Sequence, residues 1–114
     1  GEETLMELKD IPFQTVDLES LPAEEHSGIG GNALWKVVKQ GNVRVRIVVY
    51  PPGYLADHWC EKGHVVYVLE GSFTSELKDG RKYELTPGMC YLVADGAEPH
   101  RSSTEEGVKL LIVD

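Results

Sequence analysis

From Ala33 onward the chain alternates apolar and polar positions in short runs broken by turn residues, the signature of β-strands. Ala33, Trp35 and Val37 share one side of a run over 33–40, and Gln40-Gly41-Asn42 turns it into a second run over 43–50. There Val43, Val45, Ile47 and Val49 alternate with Arg44 and Arg46. Pro51-Pro52-Gly53 ends that strand, because proline has no N–H to give to a ladder. Further runs are expected over 54–60, 64–70, 73–78, 81–85, 89–93 and 108–113, with Asp79-Gly80 a strong hairpin signal. No segment of helical periodicity exceeds about ten residues, so the pattern predicts an all-β sandwich or barrel with antiparallel strands. The run Val108-Lys109-Leu110-Leu111-Ile112-Val113 is apolar on both sides, which places it centrally or under a partner.

Residues 1–32 read differently, as an irregular arm packed on a barrel formed by 33–114. Its apolar patches are short, and Ser27-Gly28-Ile29-Gly30-Gly31-Asn32 reads as a flexible connector. It lacks the leading strand, the following Lys-Ser/Thr and the opening helix of a phosphate loop. Acidic residues gather in the arm (Glu2, Glu3, Glu7, Asp10, Asp17, Glu19, Glu24, Glu25).

Composition narrows the function classes. The 114 residues form one domain, large enough for a core without staples. A net charge of −8 opposes nucleic-acid backbones and anionic membranes, so neither is an expected partner. No apolar run approaches the roughly 18 residues of a membrane span. No secretory leader is read, and the two cysteines, Cys60 and Cys90, are expected as free or metal-bound thiols of a cytoplasmic protein. Cys90, just after Pro87-Gly88, is expected in the core.

The chemistry concentrates in Asp57-His58-Trp59-Cys60, with His64 close behind and His100 farther on. Three imidazoles and a thiol are side chains that a transition metal prefers. If 54–60 is a strand, His58 and Cys60 project from one face and Trp59 packs behind them. Buried cysteines and strand-end histidines also occur with no metal at all, so spacing alone leaves both readings open.

These residues also carry a resemblance. Pro51-Pro52-Gly53, His58-Trp59-Cys60, His64 and Leu69-Glu70-Gly71 resemble the first cupin motif. Gly80, Pro87-Gly88 and Pro99-His100 resemble the second. Asp57-His58-Trp59-Cys60 is similar to the signature of the small bacterial DHCW-motif cupin-fold proteins. The resemblance implies a jelly-roll β-barrel with metal ligands at His58, Cys60, His64 and His100. Cys60 stands where the family usually has histidine, and His64 where it usually has glutamate. Four such ligands suit zinc, with Fe²⁺, Ni²⁺ or Cu²⁺ as other occupants.

Asp57 and Glu70 are candidate acceptors for a histidine N–H, and Tyr50, Tyr54, Tyr67 and Tyr91 are candidate pocket wall. Arg44 and Arg46 are expected on a solvated strand face, with an anion clamp as the alternative. His26 is expected on the surface of the arm. Three functions follow as expectations: a metal-binding cupin with a small-molecule pocket, a metalloenzyme of isomerase or oxygenase type, or a metal-free binding module. Edge strands that need covering predict a homodimer.

Overall fold

A computed structural model describes residues 5–114; Glu2 and Glu3 of the acidic arm lie outside the described residues. Among the described residues nine antiparallel strands form two sheets: β1 (Glu24–Gly28), β2 (Gly31–Gln40), β3 (Val43–Tyr50), β4 (His64–Gly71), β5 (Phe73–Leu77), β6 (Lys82–Leu85), β7 (Cys90–Val93), β8 (His100–Ser103) and β9 (Val108–Val113). The larger sheet runs β1-β2-β3-β9-β4-β7 and the smaller β6-β5-β8, packed as a flattened jelly roll. Strand β9 lies between β3 and β4, which explains why it is apolar on both sides. Among the described residues no helix is long and apolar enough to cross a membrane.

The inward positions of both sheets meet in one core of Val48, Val66, Val68, Phe73, Leu85, Val108, Leu110 and Ile112. Trp35, Tyr50 and Tyr91 pack against it, continuing the core toward one end of the barrel.

Four departures from the sequence reading stand out in the fold. Glu24–Gly28, expected within the irregular arm, is a strand, and the connector is the hairpin turn that pairs it with β2. Gly30 takes φ 82° in that turn, a conformation that side chains resist. The arm itself is stitched to the β2–β3 turn, where Asn42 Oδ1 accepts from Lys9 N (2.8 Å) and Asn42 Nδ2 donates to the Glu7 carbonyl (2.8 Å). Second, 54–60 is no strand; its pairing is limited to isolated bridges at Leu55 and Cys60 and backbone hydrogen bonds at Tyr54 and Ala56.

Third, Arg44 and Arg46 keep the expected parity but face the interior, with Arg46 only 5% exposed while Val49 lies outside at 36%. The expectation of a solvated face fails because a buried carboxylate, Asp114, waits at that end of the barrel. Fourth, Cys90 is exposed, because β7 is an edge strand and Cys90 shares the outward parity of Leu92. Both cysteines are free, Cys60 facing the barrel and Cys90 facing out.

Candidate metal centre

Three elements bring Cys60, His64 and His100 together. Cys60 is held by a two-way backbone bridge to His100, with Cys60 N donating to the His100 carbonyl (2.7 Å) and His100 N to the Cys60 carbonyl (3.0 Å). That bridge sets the thiol beside the imidazole. His64 is the first inward residue of β4, and Gly63 before it packs so closely on the backbone of Asp95 that a side chain would not fit. Gly63 N donates to Asp95 Oδ1 (2.6 Å), fixing the start of the strand. One ligand atom from each of the three residues lies within 4.8 Å of the others.

His58 stands apart from this cluster. Its side chain is 76% exposed, and its Nδ1 donates to Asp57 Oδ1 (2.7 Å). It lines the mouth of the same cavity as the other three. The two-residue period does not bring His58 and Cys60 to one face because their segment is not a strand. Trp59 does lie on the far side from the thiol, stacked under the Arg101 guanidinium at 4.5 Å.

The hydrogen bonds around the cluster decide which nitrogens face it. His100 Nδ1 donates to the Glu98 carbonyl (2.8 Å), so in the neutral ring Nε2 carries a free lone pair. That Nε2 faces His64 Nε2 at 3.0 Å, and the Tyr91 hydroxyl meets the same His64 nitrogen at 2.9 Å. His64 Nδ1 is buried without a hydrogen-bond partner, 3.7 Å from Asp114 Oδ2. Burial, then the neighbouring His100, lowers the His64 pKa to about 4, so it is neutral at pH 7. The hydrogen bond between Cys60 and His100 lowers the thiol and raises the imidazole. Burial raises Tyr91 and holds it as the phenol.

A divalent ion fits this donor set. Bonds of about 2.0–2.3 Å place tetrahedral ligand atoms roughly 3.3–3.7 Å apart, so a slight spreading of the two facing nitrogens admits the ion. With His64 Nε2 as a ligand, its proton sits on Nδ1, toward the Asp114 carboxylate, where the buried nitrogen is otherwise orphaned. Asp114 is the acceptor that sequence reasoning missed. Asp57 serves the exposed His58, and Glu70 is exposed at the far end of β4. The parity of Val108, Leu110 and Ile112 points the next inward position, 114, at the same interior.

The cluster opens on a cavity of about 400 Å³. Trp35, Arg44, Arg46, Tyr50, Tyr54 and Tyr91 form much of its wall, whereas Tyr67 faces outward at 39% exposure. Tyr50 and Tyr54 stack at 4.4 Å, and burial pushes Tyr50 up to about 12. His26, expected on the surface, stacks on Trp35 at 3.6 Å, its ring held by the β1–β2 hairpin. A second cavity of about 470 Å³ opens beyond Tyr91 and His100, lined by Leu77, Leu85, Met89 and Leu92. Cys90, Glu84 and Glu98 also line it, but among the described residues they form no metal-binding cluster with His100.

Comparison with known proteins now settles the family. A family profile described as a cupin domain matches residues 46–114, over half of the chain. The chain belongs to the cupin family. Its fold is similar to the polyketide cyclase RemF from Streptomyces resistomycificus, at 25% identity and a TM-score of 0.73 over 90% of this cupin and 78% of that chain. It is similar to an RmlC-like cupin from Shewanella frigidimarina, at 21% identity and a TM-score of 0.72 over 90% and 89% of the two chains. Ectoine synthase from P. lautus matches at 20% identity and a TM-score of 0.71 over 89% and 76%. No curated protein matches.

Proposed function

We propose that this cupin binds a divalent transition metal through Cys60, His64 and His100 and takes a small molecule into the adjoining cavity. The observation that carries the reading is the convergence of the three ligand atoms within 4.8 Å, with His100 Nε2 freed by the Glu98 carbonyl. A thiolate with two imidazoles is a borderline-soft set that suits zinc ahead of Fe²⁺, Ni²⁺ or Cu²⁺. His58, at the mouth of the same cavity, is the fourth ligand expected from sequence; here it is an exchangeable neighbour of the ion rather than an anchor. The Asp57-His58-Trp59-Cys60 resemblance to DHCW-motif proteins adds a family signature but no reaction.

A second reading, a metalloenzyme of isomerase or oxygenase type, draws on the open cavity beside a three-ligand set, the arrangement of catalytic sites. A bound ion would supply Lewis-acid polarisation there. Tyr91, whose hydroxyl lies against His64, is the group beside the ligand set placed to hold or move a proton.

Elemental analysis of protein purified without chelator or nickel resin tests the metal. Near-stoichiometric metal in the parent protein, lost in Cys60→Ser, His64→Ala and His100→Ala, is the expected result. Full metal in all three variants overturns the ligand set, and a parent protein that takes up none after zinc dialysis leaves the metal-free binding module.

Pairing of two copies belongs to the same proposal. The outer face of the larger sheet leaves Leu34, Val49, Tyr67 and Leu92 exposed, whereas the outer face of the smaller sheet carries Thr74, Glu76, Lys82, Glu84 and Arg101. A monomer by sedimentation at micromolar concentration refutes the pairing.

A further inference from the structure

We propose that the ligand of this cavity is a small carboxylate, received by Arg44 and Arg46 on the inner wall of the larger sheet, on the far side of Asp114 from His64. The inference rests on the reading of the cavity as a ligand chamber and names what that chamber selects.

Two guanidinium groups face the interior of β3 and share one carboxylate. Arg44 Nε and Nη2 donate to the two oxygens of Asp114 (2.8 Å each), and Arg46 Nη2 donates to Oδ2 (3.1 Å). The Asp114 side chain is fully enclosed, and that of Arg46 is 7% exposed, with its Nε left unpartnered. The other charged side chains lining the cavity, Glu61 and Lys62, are exposed and oppose each other in sign. One positive charge is therefore surplus at the buried wall, and buried charges are costly unless paired. Burial, then the charge of Arg44, lowers the Arg46 pKa, the response of a cation short of anions.

The surroundings favour a carboxylate over a phosphate. The Arg46 guanidinium sits over the Trp35 ring at 4.2 Å, with that of Arg44 at 5.5 Å, and both arginines line the cavity. A planar carboxylate matches a guanidinium edge. Phosphate sites draw on helix N-termini or nests of backbone N–H groups, whereas this wall is made of side chains. The stacked rings of Tyr50 and Tyr54 flank the arginines and offer a flat surface to an organic body. Arg44, 27% exposed, gives an incoming anion a first contact.

Benzoate, its neutral analogue benzamide, and inorganic phosphate are titrated calorimetrically into zinc-dialysed and chelated protein in carboxylate-free buffer. Benzoate is expected to bind at least about tenfold more tightly than benzamide or phosphate, the margin of a charge-assisted hydrogen bond. Arg44→Gln is expected to weaken benzoate about tenfold and leave benzamide unchanged. Arg46→Lys, which keeps the charge and loses the fork, repeats the test if Arg44→Gln does not fold. Equal affinity for benzoate and benzamide, a preference for phosphate, or benzoate binding unchanged in the folded variants overturns the proposal. Zinc bound with no benzoate affinity removes the carboxylate and leaves the metal reading standing. Arginine-dependent benzoate binding by protein that takes up no zinc does the reverse.

Discussion

The same strands build two unlike ends of one interior. Along β4 the inward side chains run His64, Val66, Val68, while along antiparallel β9 they run Val108, Leu110, Ile112 and on to Asp114. On β3 the inward order is Arg44, Arg46, Val48 and Tyr50; Val48 lies level with Leu110 and Tyr50 with Val108, while Arg46, level with Ile112, marks the changeover to the polar end. At the apolar end Val48, Val66, Val68 and Leu110 are at most 1% exposed, and burial contributes about 1.5–3 kcal/mol for each such side chain. At the polar end nothing comparable is gained. Charges there are tolerated because they are paired, and the orphaned His64 Nδ1 and Arg46 Nε mark where pairing is incomplete. One end holds the barrel together, and the other is the end proposed to receive metal and ligand.

Substitutions in the two halves should therefore read out differently, the largest effect coming from the apolar end. Phe73→Ala, at a position 2% exposed in the core, is expected to cost about 3–5 kcal/mol in urea unfolding. The fraction that stays folded should keep its full metal content. Loss of metal in proportion to loss of stability would show that the two ends are not separable.

At the polar end Asp114→Asn removes the one carboxylate shared by two arginines. Burial alone would raise this carboxyl, yet the hydrogen bond from Arg44 and the charges of Arg46 and Arg44 bring it down to about 2. The variant is expected to lose about 3 kcal/mol, the lower range for breaking a buried pair, because Arg44 is part exposed. Unlike Phe73→Ala, it should also weaken zinc binding, since His64 loses the acceptor facing its Nδ1.

Acid should pull on the polar end before the apolar one. In chelated protein His64 titrates near 4, against about 6.5 in the unfolded chain. Between those values the unfolded chain binds a proton that the folded chain refuses, so stability is complete above pH 6.5 and falls as pH drops toward 4. The expected loss is on the order of 2 kcal/mol across that window, flattened in His64→Gln. Asp114 adds its own loss only below about 4, where the unfolded carboxyl begins to protonate. His100, raised by its bond to Cys60, acts in the opposite sense and above pH 6.5.

Legibility in the sequence divides along the same line. Alternation and turn signals located β2 to β7 and β9, whose inward rows are apolar enough to show a period of two. They missed β1 and β8, because Glu-Glu-His-Ser-Gly and His-Arg-Ser-Ser are polar on both faces and show no apolar period. Arg44 and Arg46 had the right parity and the wrong side, since an arginine row looks the same facing water or a buried carboxylate. Cys60, His64 and His100 were visible from residue type and motif. Asp114 and the Glu98 carbonyl were not, because one is a single carboxylate and the other a backbone group with no residue signature.

His58 marks the border between what the motif implies and what the fold supports. Its side chain is exposed and, among the described residues, hydrogen-bonds to the neighbouring Asp57 alone, so His58→Ala should change stability by no more than about 0.5 kcal/mol. If the three inward residues anchor the ion, this variant should still bind zinc stoichiometrically, with release to a chelator faster than from the parent protein. If His58 swings inward as a fourth equal ligand, its loss should match that of His64→Ala in metal content. A small stability change with a large metal loss would extend the polar end outward through the mouth of the cavity. A small change in both would draw its boundary at Cys60, where the backbone bridge to His100 begins.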